Sequence, residues 1–318
     1  MEKTILLIGC GNIGRCHLQA IANTRRKIQV ILVDPDVAAI DKAEKILAKA
    51  PWINAQQVTG LQELPKNPVV LAIIATDARL RRSMVHQLLN HAPPQALLLE
   101  KVLFQTRKDL DAVEILLQEY NIPTWVNCGR RGFPFYEKLR ALFQGRRMDV
   151  EVRGGRWGLC CNGIHFLDIA EYVLDDTLVS LCADELEEES EAAKRPGCVE
   201  LYGTLRGRFS RGSSLALHCT RKTGKPMTLS FTDSDECWLV DETGAVFTHT
   251  DEIGKKNSEP FDMLYVSSMH YLYAEILDSR TSRLTPYAAS AAQHRLFLDA
   301  VRQRLGLSNK RDEPCPIT

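Results

Sequence analysis

The feature that most constrains the fold of this chain is a glycine motif near its N-terminus. Residues 4–8 form an apolar, β-branched run typical of a buried strand, and Gly9, Gly11 and Gly14 follow with the spacing Gly-x-Gly-x-x-Gly. A helical pattern then covers residues 13–23. In such a strand–turn–helix unit the first glycine permits a tight turn, the second lets a pyrophosphate approach the backbone, and the third lets helix and strand pack closely.

The motif predicts a loop that binds the phosphates of a dinucleotide. The helix N-terminus would supply free N–H groups and a partial positive charge. A glycine-rich turn without a ligand is the alternative interpretation. The cofactor-binding residues predicted for this loop are Gly9, Gly11, Asn12, Ile13 and Gly14.

Strands and helices alternate through the N-terminal part of the chain. Further strands are predicted at residues 28–33, 57–58, 69–75, 96–100 and 124–127, and helices at residues 37–48, 79–90 and 107–120. Because most of these strands are almost continuously apolar, they indicate a parallel sheet that is covered on both faces. We therefore expect an α/β fold that begins with a doubly wound Rossmann domain over residues 1–127.

The pattern changes after residue 127. Strands that alternate apolar and polar residues are predicted at 150–156, 199–210, 214–221, 227–232, 237–241 and 245–249, with helices at 135–143, 164–174, 263–280 and 286–304. Alternation indicates strands with one solvated face. Residues 128–318 are therefore predicted to form an α+β domain for substrate binding and oligomerisation, with a large, mostly antiparallel open sheet. The acidic run at residues 184–191 is interpreted as a solvated loop or helix face.

Composition narrows the class of partner. Forty Lys and Arg residues balance forty Asp and Glu residues, which argues against nucleic acid or an anionic membrane and favours a small molecule. The chain has no signal-peptide pattern and no apolar span of ~20 residues, so we expect a cytoplasmic protein. The ten cysteines lack zinc-site spacing, and no metal is expected. The arginines at 79, 81 and 82 are interpreted as a solvated helix face.

An acidic residue stands where the second strand ends. Asp34 follows Gly9 by 25 residues, which is where a Rossmann domain needs a carboxylate to accept hydrogen bonds from the ribose hydroxyls. A phosphate on that ribose would meet a like charge, to which Asp36 adds. The sequence therefore favours NAD over NADP, although a simple turn residue is the alternative interpretation of Asp34.

Three further segments carry a family resemblance. Glu100-Lys101 follows a strand and is similar to the Glu-Lys-Pro of the glucose-fructose oxidoreductase / inositol 2-dehydrogenase family, known as Gfo/Idh/MocA, but Val102 replaces the proline. Residues 127–134 are similar to the Asn-Arg-Arg-Phe-x-Pro segment of the family. Gly163, His165 and Asp168 match the motif Asp-x-Gly-x-His-x-x-Asp, whereas Cys161 occupies the place of its first Asp.

The resemblance implies a site and an activity. It assigns Lys101, His165 and Asp168 to catalysis and Thr76 and Glu100 to the cofactor, and we expect Arg131, Asn162 and Trp157 to contact the substrate. The implied reaction is hydride transfer between NAD(H) and a hydroxyl or keto carbon of a sugar, inositol or sugar nucleotide. The resemblance also implies a homodimer or homotetramer.

Two questions stay open at this stage. Either Lys101 or His165 moves the hydroxyl proton, since imidazole has an ordinary pKa of ~6.5 and an ammonium group one of ~10.4 that burial lowers. Cys161 removes a carboxylate, so the alternative function is a cofactor-binding protein without turnover, acting as a sensor or partner subunit.

Overall fold

A computed structural model describes residues 3–64, 68–307 and 313–318. The chain divides into two compact units, each assembled from segments that are distant in sequence. The first unit consists of Met1–Phe104, Lys108–Gly132 and Leu264–Ala291, and the second of Gln105–Arg107, Phe133–Met263 and Ala292–Thr318. The segment at 264–291, which was expected in the second domain, thus lies in the first unit. In the described part of the chain no helix is both long and apolar enough to cross a membrane.

The described residues form the following regular elements. The strands are β1 Lys3–Ile8, β2 Ile28–Val33, β3 Ile53–Val58, β4 Val69–Ile74, β5 Leu97–Leu99, β6 Thr124–Val126, β7 Asp149–Gly155, β8 Leu178–Leu186, β9 Glu191–Ala192, β10 Val199–Glu200, β11 Gly203–Phe209, β12 Ser214–Thr220, β13 Thr228–Thr232, β14 Cys237–Asp241, β15 Val246–Thr250, β16 Lys256–Pro260 and β17 Thr285–Pro286. The helices are α1 Asn12–Asn23, α2 Val37–Leu47, α3 Ala78–His91, α4 Arg107–Glu119, α5 Pro134–Phe143, α6 Leu159–Leu174, α7 His270–Ser279 and α8 Tyr287–Arg304.

The sheet of the first unit has seven strands in the order β17-β6-β5-β4-β1-β2-β3. All pairs are parallel except that of β17 with β6. The central strands β1 and β4 are almost entirely buried. Such burial is expected of a parallel sheet, because helices cover the apolar side chains on both of its faces. The predicted Rossmann sheet is confirmed, and it brings the carboxyl ends of β1, β2, β4 and β5 to one edge.

The segment at 264–291 adds a strand and a helix to this unit. Thr285 of β17 pairs with Val126 of β6, and the Tyr287 hydroxyl donates to the Leu110 carbonyl oxygen at 2.8 Å. A strand of two residues carries too little periodicity to be recognised in a sequence. Its pairing with β6 depends on residues about 160 positions away, so local patterns do not reveal it.

The sheet of the second unit has eight strands in the order β16-β15-β14-β13-β7-β12-β11-β8. Neighbouring strands are antiparallel, except that β7 and β12 are parallel. The predicted large and mostly antiparallel sheet is therefore confirmed. Its strands β12 and β13 alternate buried with half-buried residues, as the sequence pattern indicated.

Both edge strands of this sheet differ from the prediction. The acidic run was interpreted as a loop or helix face, but Asp184 and Glu185 lie in β8. This strand pairs with β11 through two register shifts, and its exposed residues do not alternate with buried ones. Strand β16 is exposed along its whole length. Edge strands of this kind lack the period-two pattern by which a strand is recognised.

Candidate functional site

The glycine loop connects β1 to α1 in the first unit. Gly9 has a φ of +94°, and a Cβ atom built on it would lie 3.0 Å from the carbonyl carbon of Ala75. A Cβ atom on Gly14 would lie 1.9 Å from the Gly9 carbonyl oxygen. Only glycine fits these two positions, because the first needs the left-handed region and the second a close helix–strand contact.

The N-terminus of α1 is open toward the same loop. Gly11 is the N-cap and supplies no side-chain hydrogen bond, and the first turn of α1 contains no acidic residue. Gly11, Asn12 and Ile13 are exposed, and a Cβ atom on Gly11 would meet no atom within 4 Å. An uncapped helix N-terminus with free space above its backbone favours an anion.

Asp34 lies beside the loop at the end of β2. Its Oδ2 atom accepts a hydrogen bond from the Cys10 backbone N–H at 2.6 Å, and its Oδ1 atom accepts one from the Asp36 N–H at 2.9 Å. Burial, followed by the negative charge of Asp34, raises the pKa of the Cys10 thiol to about 12. The carboxylate therefore fixes the loop to β2, and its oxygens retain lone pairs for further hydrogen bonds.

A polar atom without a partner lies on the neighbouring turn after β4. Within the described chain the buried Oγ1 atom of Thr76 has no hydrogen-bond partner, although buried hydroxyls usually have one. The Thr76 backbone nitrogen would be 3.2 Å from a Cβ atom on Gly9. The open N-terminus, the free space at Gly11 and this hydroxyl together fit a dinucleotide, which Gly9, Gly11, Asn12, Ile13, Gly14, Asp34 and Thr76 would hold.

Glu100 is buried at the end of β5, with 4% of its surface exposed. Its Oε1 atom accepts hydrogen bonds from His17 Nε2 at 2.8 Å and from Asn127 Nδ2 at 2.5 Å. His17 Nδ1 lies 2.5 Å from the Tyr273 hydroxyl. If Nε2 carries the imidazole proton, the hydroxyl donates to Nδ1, and all these groups are satisfied. Glu100, which was predicted to bind the cofactor, is here the centre of a buried cluster.

The electrostatics of this cluster keep the carboxylate ionised. Burial raises the pKa of Glu100, but the hydrogen bonds from His17 and Asn127 and the nearby charge of Lys101 lower it further than burial raises it, so the net shift is downward. Burial and the charge of Glu100 raise the pKa of the Tyr273 hydroxyl well above its usual value. The phenol therefore stays protonated and able to donate.

Lys101 follows Glu100, is half-buried, and precedes a cis peptide bond to Val102. The adjacent backbone is held by Arg81, which is only 2% exposed. Arg81 donates from Nη1 to the Val102 and Leu103 carbonyl oxygens and from Nη2 to that of Thr76. The interpretation of Arg81 as part of a solvated helix face was wrong. One side of α3 faces the sheet. From that side the long side chain of Arg81 reaches both the turn after β4 and the segment after β5.

Helix α6 carries the predicted catalytic residues of the second unit. His165 is half-buried, whereas Asp168, one turn further along, is fully buried. Over residues 159–170 only Cys161, Asn162 and His165 are even partly exposed. The Asn162 side-chain amide donates to the Trp157 carbonyl oxygen at 2.7 Å, and Trp157 Nε1 donates to that of His218 at 2.9 Å. Cys161, Asn162 and His165 form a short, partly accessible polar strip on the otherwise buried stretch 159–170 of this helix.

The N-terminus of α6 is capped by a residue from a distant strand. The helix begins at Leu159, five residues earlier than predicted, after Gly158 with a φ of +80°. Gly158 has no side chain to cap the helix, and Glu200 Oε2 accepts from the Cys160 N–H at 2.9 Å instead. Because the cap comes from β10, no local sequence signal marks it. His165 and Asp168 therefore lie beyond the first turn of α6.

The predicted site residues are divided between the units. Gly9, Gly11, Asn12, Ile13, Gly14, Asp34, Thr76, Glu100, Lys101 and Arg131 belong to the first unit, and Trp157, Asn162, His165 and Asp168 to the second. Arg131 is half-buried in the 3₁₀ turn Gly129–Gly132. Sequence reasoning missed His17 and Tyr273. The available signal was a histidine on the buried face of α1, in register with Gly14 and Ile21.

Residues 3–128 match the Gfo/Idh/MocA oxidoreductase family, which is described as an NAD-binding Rossmann fold. This part of the chain belongs to that family. The resemblance inferred from the sequence motifs is thus confirmed, and the first unit contains an NAD(P)-binding Rossmann domain of the Gfo/Idh/MocA type. No curated protein sequence matches the chain.

Solved structures share the fold over nearly the whole chain. An oxidoreductase from Agrobacterium radiobacter, in complex with NAD+, L-tartaric acid and magnesium, is 15% identical with a TM-score of 0.76 and covers 96% of this chain and 97% of its own. The UDP-N-acetylglucosamine 3-dehydrogenase GnnA from Acidithiobacillus ferrooxidans is 15% identical with a TM-score of 0.72 and covers 97% and 99%. The transcriptional regulator Gal80p from Kluyveromyces lactis is 12% identical with a TM-score of 0.71 and covers 96% and 90%.

The second and third glycines of the Gfo/Idh/MocA loop, Gly11 and Gly14, should respond differently to an added methyl group. Gly14→Ala forces a Cβ atom against the Gly9 carbonyl and should lower the free energy of unfolding by ~1–3 kcal/mol in urea titrations. Gly11→Ala meets no protein atom and should change it by less than ~0.5 kcal/mol. It should nevertheless weaken NADH binding at least ~10-fold by fluorescence titration, because the methyl group occupies the space for the pyrophosphate. Unchanged NADH affinity would contradict this use of the loop.

Glu100→Gln should lower the stability by ~1–3 kcal/mol at neutral pH, because it removes a buried charge that two donors satisfy. The native pKa of Glu100 is depressed, so its contribution is complete above the unfolded value of ~4.3 and is lost as the pH falls through the lower native value. The difference in the free energy of unfolding between wild type and Glu100→Gln, measured by urea titration, should be smaller below pH ~4 than at pH ~7. Glu119→Gln, at an exposed position of the same unit, is the control; an equal pH dependence there would refute the assignment.

Arg81→Met should cost ~2–4 kcal/mol, because the carbonyl oxygens of Thr76, Val102 and Leu103 lose their buried donor. Its neighbour Arg82 is exposed and bonded to Asp109, so Arg82→Gln should cost less than ~1 kcal/mol. Urea unfolding of both variants measures the contrast. Equal losses would show that the Arg81 bonds contribute little.

Proposed function

We propose that this chain is an NAD(H)-dependent oxidoreductase acting on a hydroxyl or keto carbon of a sugar-like substrate. The observation that carries the proposal is the open glycine loop, with Asp34 beside it, in a domain of an oxidoreductase family. A dinucleotide held at this loop would supply the hydride chemistry of its nicotinamide. The chain's own residues must then bind the substrate and move the proton of its oxygen.

A preference for NAD over NADP follows from the charge at the end of β2. The Asp34 carboxylate accepts backbone N–H groups on both oxygens and still has lone pairs for ribose hydroxyls. Asp36 caps α2 at the same turn by accepting from the Ala38 N–H at 3.0 Å. Two carboxylates here disfavour a phosphate on the ribose.

Lys101 and His165 are the proposed proton-handling residues. The ammonium group of Lys101 would donate to the substrate oxygen, while His165, accessible on α6, would accept or return the hydroxyl proton, or the two roles are exchanged. Asp168 is fully buried one turn from His165. It is therefore assigned an orienting role rather than a contact with the substrate.

A hydroxylated substrate is supported by the polar side chains available on the second unit. Asn162 and Trp157 are half-buried and already in a hydrogen-bonded chain, which would hold them in place for a ligand. The proteins of similar fold include a UDP-N-acetylglucosamine 3-dehydrogenase and an oxidoreductase with bound L-tartaric acid. Sugars, inositols and sugar nucleotides are the substrate classes we propose.

One observation favours a second candidate function, which is cofactor binding without turnover. A thiol, Cys161, stands on the accessible strip of α6 where the family motif has a carboxylate, and a thiol is a weak hydrogen-bond partner. Gal80p, a transcriptional regulator, has a similar fold. The two functions differ in hydride transfer and agree in cofactor binding.

Titration with NADH and NADPH, followed by a panel of polyols, aldoses and sugar nucleotides, tests the proposal. We expect tighter binding of NADH and a change in nicotinamide absorbance with at least one substrate. Lys101→Ala and His165→Ala should each lower kcat by ~10²–10⁴-fold without loss of NADH affinity. Exposed Lys42→Ala and His86→Ala are the matched controls and should leave turnover unchanged. Tight NADH binding with no turnover would favour the second function, and no binding of either nucleotide would exclude both.

A further inference from the structure

An arginine lies against the glycine loop. Arg15 follows Gly14 in the first turn of α1 and is half-buried. Its Nη1 atom donates to the Cys10 carbonyl oxygen at 3.0 Å, and its Nη2 atom donates to Asn12 Oδ1 at 2.6 Å. The guanidinium group therefore folds back along the helix toward its N-terminus and is held at the loop by two neutral acceptors.

Several other arginines of the first unit form an ion pair with a carboxylate, whereas Arg15 is bonded to two neutral acceptors. Arginines that pair with a carboxylate include Arg26 with Asp278, Arg79 with Asp77 and Arg82 with Asp109. Within the described residues no Asp or Glu oxygen lies within 4 Å of the Arg15 guanidinium, and the first turn of α1 holds no acidic residue. A cation near a helix N-terminus is repelled by the partial positive charge there. Arg15 thus keeps an unfavourable position that a bound anion would make favourable.

The contacts around Arg15 indicate which kind of anion would bind beside it. Arg15 binds the carbonyl of Cys10, and Asp34 binds the N–H of the same residue, so the guanidinium belongs to the loop on which the proposed cofactor rests. Two of the five guanidinium N–H groups are used, and the planar fork suits the oxygens of a phosphate. We expect a phosphate rather than a substrate carboxylate here, because a dinucleotide places its phosphates at a glycine loop of this kind.

We propose that Arg15 binds a phosphate group of the adenine dinucleotide and is a determinant of cofactor affinity in addition to the glycine motif. This inference rests on the proposed function, because it assumes that the loop is the cofactor site. In NAD(H) this phosphate belongs to the pyrophosphate, and a phosphate on the adenosine ribose, which Asp34 and Asp36 disfavour, is the other source that the test covers. Both have the same chemistry, and different nucleotides distinguish them.

The test measures displacement of NADH by fragments of the cofactor in wild type, Arg15→Gln and Arg15→Lys. ADP-ribose carries the pyrophosphate, 2′-phospho-ADP-ribose carries an additional ribose phosphate, and adenosine carries neither. Arg15→Gln should weaken ADP-ribose binding about tenfold and leave adenosine binding unchanged, because only a phosphate gains from a charged donor. Arg15→Lys should fall in between, since it keeps the charge and loses the fork. A larger loss for 2′-phospho-ADP-ribose would identify the ribose phosphate as the group bound.

Arg25→Gln is the matched control, because it removes the same charge from an exposed position just beyond the other end of α1, ~15 Å along the helix. Its nucleotide affinities should equal those of wild type. Equal losses for adenosine and ADP-ribose in Arg15→Gln would mean that Arg15 only braces the loop, and unchanged affinities would mean that it has no role; either result overturns the inference. If wild type binds none of these nucleotides, the proposed function is refuted, and this inference is refuted with it.

Discussion

The buried carboxylate of Glu100 holds together segments of the first unit that are far apart in sequence. His17 reaches it from α1 and Asn127 from the end of β6, and Tyr273 of α7 adds a hydrogen bond to the far side of the imidazole. A buried charge is tolerated only when hydrogen bonds replace its lost hydration, so each partner matters to the others. Lys101 follows Glu100 directly, and the backbone that presents it therefore depends on this cluster.

Hydrogen bonds between loops hold the edge of the sheet where the candidate cofactor site lies. Asp34 ties the end of β2 to the glycine loop, and Arg81 ties the turn after β4 to the segment after β5. The close contact of Gly14 with Gly9 fixes α1 against β1. These bonds hold backbone atoms at fixed positions, which is what binding of a phosphate by backbone N–H groups requires.

The features that sequence reasoning predicted correctly are those written in local patterns. The glycine spacing after an apolar run identified the Rossmann domain, and alternation in β12 and β13 identified the second sheet. What it missed depends on residues that meet only in the folded chain. Glu200 caps α6 from β10, the pairing of β17 with β6 adds a C-terminal segment to the first unit, and the burial of Arg81 follows from carbonyl groups in two loops. None of these leaves a periodic signal near the residue concerned.

The residues proposed for cofactor binding and those proposed for proton transfer on α6 lie in different units of this chain. All the residues predicted for the dinucleotide lie in the first unit, whereas His165 and Asp168 lie on α6 of the second. Cys161, which stands where the family motif has a carboxylate, belongs to the second unit, whereas the glycine loop, Asp34 and the Glu100 cluster belong to the first. The same fold supports dehydrogenases and a transcriptional regulator, so the fold does not decide between the two functions. The two proposed functions differ in what the polar strip of α6 does, and Cys161, Asn162 and His165 are the partly accessible groups of that strip.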